Sequence, residues 1–150
     1  MRLRVLVAGI TVAIAVASAA CDESLSSLTG PTPNLEPTFT SIQREIFDTT
    51  DPSGRTACTA CHSAAGRVPS GGLNLTSGNS YAALVGVNSL ERPALRRVAP
   101  GDPDASYIVR KLEGGPDIVG VRMPRGTGPY LSSGQMQVIR RWIAQGAPNN

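Results

Sequence analysis

The chain predicts an all-α fold in which a few short helices are joined by long loops. Three observations carry this. Several segments repeat apolar residues with the helical period, and no run alternates convincingly with the period of two that a half-buried strand requires. Glycine and proline are abundant, with 16 Gly and 12 Pro among 150 residues, a level above the globular average of about 12% yet short of low-complexity disorder. Aromatic residues make up only 4% of the chain, so a core of this size has few large pieces and gains from a staple or a bound group.

Four helices are expected. The first covers Ser41 to Thr49, with Thr40 and Gln43 as a capping box and Phe39, Ile42 and Ile46 on one face. The second is short, Ser80 to Val85, stopped by Gly86. The third opens with Asp102 as N-cap and Pro103 at the first helical position, carries Ala105, Ile108, Val109 and Leu112 on one face, and ends at Gly114. The fourth is the best marked. Ser132 caps it, Gln135 completes the box, and Leu131 and Met136 stand where a hydrophobic staple belongs. Met136, Ile139, Trp142 and Ile143 form its stripe, Arg140 and Arg141 suit the negative end of the dipole, and Gly146 terminates it. The connections are long and rich in Gly and Pro, which a small domain tolerates best when something fills its middle.

Ahead of these helices the chain reads as an export signal over residues 1–20 and a flexible tether over 21–36, leaving a folded domain over 37–150. Arg2 and Arg4 precede the apolar run Val5 to Ala17, and Ala17-Ser18-Ala19 is a small-residue cleavage site. The run is shorter than the roughly 20 residues of a spanning helix. Ala19-Ala20-Cys21 resembles the lipobox of bacterial lipoproteins, with Ser18 where Leu is usual. The resemblance implies a lipid on Cys21 and attachment to a membrane surface; ordinary cleavage is the alternative. The segment Asp22 to Pro37 is rich in Ser, Thr and Pro and lacks periodicity. Two of the 14 basic residues lie in the leader, which leaves the remainder nearly balanced against 11 acids. No nucleic-acid partner is expected from such a balance.

The chemistry rests on Cys58-Thr59-Ala60-Cys61-His62. The pattern C-x-x-C-H reads as covalent attachment of c-type haem. Two cysteines three apart on one helical turn can both reach the edge of a porphyrin and form thioethers with its vinyl groups. His62 follows at once, turned under the ring, where an imidazole nitrogen can bind iron. A thioredoxin-type dithiol would want a preceding strand, which is lacking. Zinc needs four ligands, and only Cys21 remains beside these three. A disulfide across three residues closes a small strained loop. Haem c, one per chain and covalent, is the expected cofactor, and the export signal agrees with it.

With one His in the chain, a sixth iron ligand within the monomer would be a thioether. Met136 lies on the apolar stripe of the last helix and reads as core. Met123, in Arg122-Met123-Pro124-Arg125-Gly126, lies in a Gly/Pro-rich loop that could wrap over the far face of the ring; an exposed Met beside a five-coordinate iron is the alternative.

On these residues the domain resembles a small bacterial class I cytochrome c, with a Pro-Gly-Asp-Pro segment at Pro100 to Pro103, Met123-Pro124, and a closing helix with Trp142-Ile143 and Gly146-Ala147. The resemblance covers Pro37 to Asn150. It implies helices and long loops wrapped around the haem, with the first and last helices crossing and Phe47 and Trp142 in or near their contact. Relatives often carry Met-Pro-Pro-Gly-Gly, where this chain has Arg125 and Thr127. Arg92, Arg96 and Arg97 cluster before Pro100. They read either as a solvated face or as a source of one guanidinium, Arg97 foremost, for a haem propionate.

These expectations amount to an electron carrier rather than an enzyme, located in the periplasm or cell envelope and serving redox partner proteins. His/Met ligation leaves no open position for substrate, and thioether sulfur raises the potential. The alternatives are a haem sensor or gas-binding module, with Met123 off the iron, and an accessory relay domain of a partner oxidoreductase.

Overall fold

The computed structural model describes residues 34–126 and 128–150. The expected leader, Cys21, the tether up to residue 33, and Thr127 lie outside the described residues. Among the described residues four α-helices run in the expected order: α1 at Phe39–Ile42, continued by a π turn at Gln43–Phe47; α2 at Ser80–Leu84; α3 at Tyr107–Glu113; and α4 at Ser133–Ala144. Short 3-10 turns occupy Cys58–Ala60 and Ser70–Gly72. Extended pairing among the described residues is confined to isolated bridges, Val85 with Val98, Asn88 with Arg96 and Ala99 with Asp102.

α1 begins earlier than expected, and its cap is Thr38, whose hydroxyl accepts from Ser41 N at 3.2 Å. The expected Thr40–Gln43 box does not form, because both side chains are engaged elsewhere. Thr40 Oγ1 donates to Asn150 O. Gln43 is buried, donates to Leu75 O and Asp48 Oδ1, and accepts from Ser80 Oγ. The free N–H groups of the first turn go to Asn150: Phe39 N to its Oδ1 at 3.0 Å and Thr40 N to its backbone oxygen at 2.8 Å. Leu35 is buried in the core, so the packed domain reaches back two residues before Pro37.

α3 starts at Tyr107, not after Asp102. Asp102 Oδ1 accepts from Ala105 N and closes only an isolated turn. The first amides of α3, on Tyr107 and Ile108, donate to Arg96 O and Arg97 O, so a neighbouring segment caps the helix in place of the aspartate. Gly114, left-handed at φ 80°, ends α3 as expected. In α4 the Ser132–Gln135 box is present in both directions.

The core joins α1 to α4. Phe39 stacks against Trp142 with ring centroids 5.4 Å apart and meets Tyr81 and Phe47 edge-on at 5.1 and 6.5 Å. Phe47 and Trp142 are both buried, and Phe39 bridges them. Ile42, Ile46, Ile139 and Ile143 complete the contact. α3 lies against α4, with Arg140 bonded to Glu113 and Asp104.

Candidate functional site

The chain turns tightly through the cysteine–histidine motif. Ala60 N bonds to Ala57 O, and both Cys61 N and His62 N bond to Cys58 O, at 3.2 and 2.9 Å. Cys58 is half-buried against the core, its Sγ 3.5 Å from Ile46 O, whereas Cys61 is exposed. Neither thiol is in a disulfide. Burial pushes the Cys58 thiol above its ordinary pKa, and the nearby Arg55 guanidinium offsets this only in part.

His62 is held at both its backbone and its ring. Its carbonyl accepts from Leu75 N at 2.8 Å. Its Nδ1 lies 2.9 Å from Ser70 O. A carbonyl only accepts, so Nδ1 carries the proton, and Nε2 is left with the lone pair that a metal requires. Burial lowers the His62 pKa, against a smaller upward pull from the backbone of Ser70 and Leu73, which favours the neutral form that a ligand needs.

The Ser70–Gly72 turn is the part of the site least visible in sequence. Ser70 O also accepts from Leu73 N. Gly71 and Gly72 stand at φ 62° and 61°, and a Cβ on Gly72 would lie 2.5 Å from Leu90 Cδ1.

Arg97 is buried. Its Nη1 donates to Ala83 O, and its Nη2 to Gly71 O and Gly72 O. Three of its N–H directions therefore serve backbone carbonyls. Arg92 Nε donates to Asp117 O, tying the following loop instead.

Met123 is half-buried and packs against the edge of the core. Its amide donates to Lys111 O in the last turn of α3, at 2.8 Å, and the peptide to Pro124 is cis. Arg122 Nε donates to Leu112 O, and its guanidinium lies 3.8 Å over the Tyr130 ring. A polar network secures the loop ahead of it: Tyr107 Oη bonds Glu91 Oε2 and Val119 N, and Lys111 Nζ bonds Val119 O and Glu91 Oε2. Glu91 and Lys111 both act on His62 electrostatically, with opposite signs. Met136, in contrast, is buried on α4 among core residues.

A second unpredicted element lies behind Cys58. Arg55, 1% exposed, pairs with Asp51, and its Nη1 donates to Ile46 O at 3.0 Å. Its Nη2 is buried without a protein partner. The only cue in sequence is the turn-forming run Asp51-Pro52-Ser53-Gly54, which does not reveal that Arg55 is inside.

Covalent haem fits these residues. It asks for two thiols on one turn, a neutral imidazole with Nε2 available, and apolar surface to cover its faces. Large apolar side chains exposed among the described residues are Val68, Leu90, Val119, Val121 and Tyr130, all in the loops that follow His62 or flank Met123. No group of three or more His, Cys, Asp or Glu side chains that could hold a metal ion occurs among the described residues; a haem iron, held by its porphyrin, needs no such group. No family model, curated protein or solved structure matches the chain.

Proposed function

We propose that the chain is an exported mono-haem c-type cytochrome that carries electrons between redox partner proteins. The observation that carries this reading is the C-x-x-C-H turn in which His62 Nδ1 is committed to the Ser70 carbonyl. Such a bond orients a metal-ligating imidazole and leaves Nε2 for the metal. Haem, when bound, supplies one-electron chemistry at its iron.

The residues divide the remaining work. Cys58 and Cys61 are the thioether positions. His62, its ring aimed by Ser70, would supply the imidazole ligand. Met123, on a loop docked to α3 through Lys111 O, would supply a thioether ligand to the iron. Val68, Leu90, Val119 and Val121 are the exposed apolar side chains that would help to exclude water from a bound ring, which would favour the reduced ion and raise the potential. A haem ligated by both His62 and Met123 would have no open position for a substrate, which supports electron transfer as the function.

Delivery outside the cytoplasm, where haem is attached, belongs to the same reading. It rests on the leader and on Cys21, a proposed lipid site that would hold the domain at a membrane surface by its Ser/Thr/Pro tether. No helix among the described residues is long and apolar enough to cross a membrane.

The deciding experiment is acid-acetone extraction of the purified chain followed by a pyridine haemochrome spectrum. Haem retained with the protein, with the spectrum of two saturated vinyl groups, is expected. A chain made with a functioning haem-attachment system that retains none would end the reading.

A further inference from the structure

The turn that holds His62 is itself held from behind. Ser70, Gly71 and Gly72 present three successive carbonyls. The first accepts from the His62 ring; the second and third accept from Arg97 Nη2, at 3.2 and 3.1 Å. Arg97 is anchored independently of that turn. Its Nη1 donates to Ala83 O of α2 at 2.9 Å, its amide to Val87 O at 2.7 Å, and its carbonyl accepts from Ile108 N of α3 at 3.0 Å. Arg97 thus ties the glycine turn to two helices, to α2 through its guanidinium and to α3 through its backbone carbonyl. Gly71 and Gly72 have no side chains with which to dock, and glycine has the most backbone freedom to lose on ordering. Ser70 N to Cys61 O, Gly72 N to Pro69 O and Leu73 N to Ser70 O shape this turn, and the Arg97 bonds to the Gly71 and Gly72 carbonyls dock it against the rest of the protein.

Resting on the haem reading above, we propose that Arg97 is a positioning residue for the axial imidazole. By clamping Gly71 and Gly72 it fixes the Ser70 carbonyl, and with it the tautomer and ring orientation of His62. This differs from pairing with a haem propionate. A planar fork can hold several carbonyls at fixed angles; an ammonium group holds the charge but not the angles. A firm Nδ1–H···O bond strengthens the imidazole as a donor and favours ferric iron, so loosening it raises the reduction potential. If Arg97 instead neutralised a propionate, the charge-preserving Arg97→Lys would leave the potential near wild type, and Arg97→Gln would lower it.

The test uses the full chain with its haem, labelled with 15N. His62 is the one His in the sequence, so its ring signals need no assignment strategy. Wild type, Arg97→Lys and Arg97→Gln are compared by Nδ1–H exchange and by reduction potential. Trp142→Phe is the control, since it weakens the core at the α1–α4 contact. Both Arg97 variants should lose the protected Nδ1–H signal and show a raised potential. Trp142→Phe should lower the melting temperature and move neither readout. A protected Nδ1–H with wild-type potential in Arg97→Lys overturns the proposal, as does a lowered potential in Arg97→Gln. If wild type carries no covalent haem, the cytochrome reading fails separately. Nδ1–H exchange in the haem-free chain then decides whether Arg97 holds His62 at all, unchanged exchange in both variants overturning it.

Discussion

Arg55 and Asp51 form an ion pair inside the protein, Arg55 Nε donating to Asp51 Oδ2 at 2.9 Å with both side chains almost wholly buried, and the guanidinium lies 3.9 Å from Cys58 Sγ. Asp51 Oδ1 also accepts from the amides of Ser53 and Arg55 and from the Ser53 hydroxyl. The pair closes the loop between α1 and the cysteine turn and sets where Cys58 begins.

The pair predicts an acid-sensitive loop. Burial alone would raise the Asp51 pKa, but the Ser53 hydroxyl and the Arg55 guanidinium outweigh it, and the folded value lies below the ordinary one. A depressed carboxylate stabilises the fold above its unfolded pKa and loses that contribution as pH falls through the folded value. Asp51→Asn leaves Arg55 buried without its counter-charge, and should cost about 3–5 kcal/mol at neutral pH. Urea unfolding from pH 7 down to strongly acid conditions should show the gap between wild type and Asp51→Asn begin to narrow in the ordinary carboxylate range and go on narrowing below it, through the lowered folded value. Equal midpoints at pH 7 would exclude a stabilising pair.

The cysteines should report on the cofactor. Cys58→Ala or Cys61→Ala is expected to impair holoprotein formation and lower stability, because each proposed thioether would hold the group that covers the apolar loops. The haemochrome band per mole of chain and thermal melting check this. A Cys58→Ala/Cys61→Ala double variant that melts with wild-type holoprotein while carrying no haem would falsify the cytochrome reading.

The leader makes its own prediction. Cys21→Ser should move the protein from the membrane fraction to the soluble exported fraction, since a lipid on Cys21 is the proposed anchor. Cell fractionation with immunoblotting measures it. Wild-type protein found wholly soluble removes the anchor and leaves the haem proposal standing.

Legibility in the sequence followed the range of the interactions. α4 could be read in full because Ser132 and Gln135 satisfy each other within one turn. Gly114 marked the end of α3 for an equally local reason. α3 starts later than the sequence suggests because its first amides are satisfied from afar, by the carbonyls of Arg96 and Arg97; α1 starts earlier because Thr38 caps it and Asn150, far along the chain, takes up the amides of Phe39 and Thr40. The same distinction runs through the site. Cys58, Cys61 and His62 are contiguous and plain. The Ser70 carbonyl that orients His62, the guanidinium of Arg97 behind it, and the buried Arg55 are long-range or backbone features, and no residue type announces them.

Met123 and Met136 should separate cleanly on substitution. Met136 is buried on α4, so Met136→Ala should cost about 2–5 kcal/mol of stability while leaving the iron ligands alone. Met123 sits half-buried at the core's edge on a loop bonded to Lys111 O. Met123→Ala should open the sixth position, lower the reduction potential and permit carbon monoxide to bind the reduced protein. Met123→His should restore six-coordination at a lower potential than wild type, because imidazole is a stronger donor to ferric iron than a thioether is. The Met–iron charge-transfer band of the oxidised protein reads the ligand directly, and urea unfolding reads the core. If the band survives in Met123→Ala and vanishes in Met136→Ala, α4 rather than the Met-Pro loop faces the iron. If wild type shows no such band and binds carbon monoxide readily, Met123 is off the iron and the gas-binding alternative replaces the electron carrier.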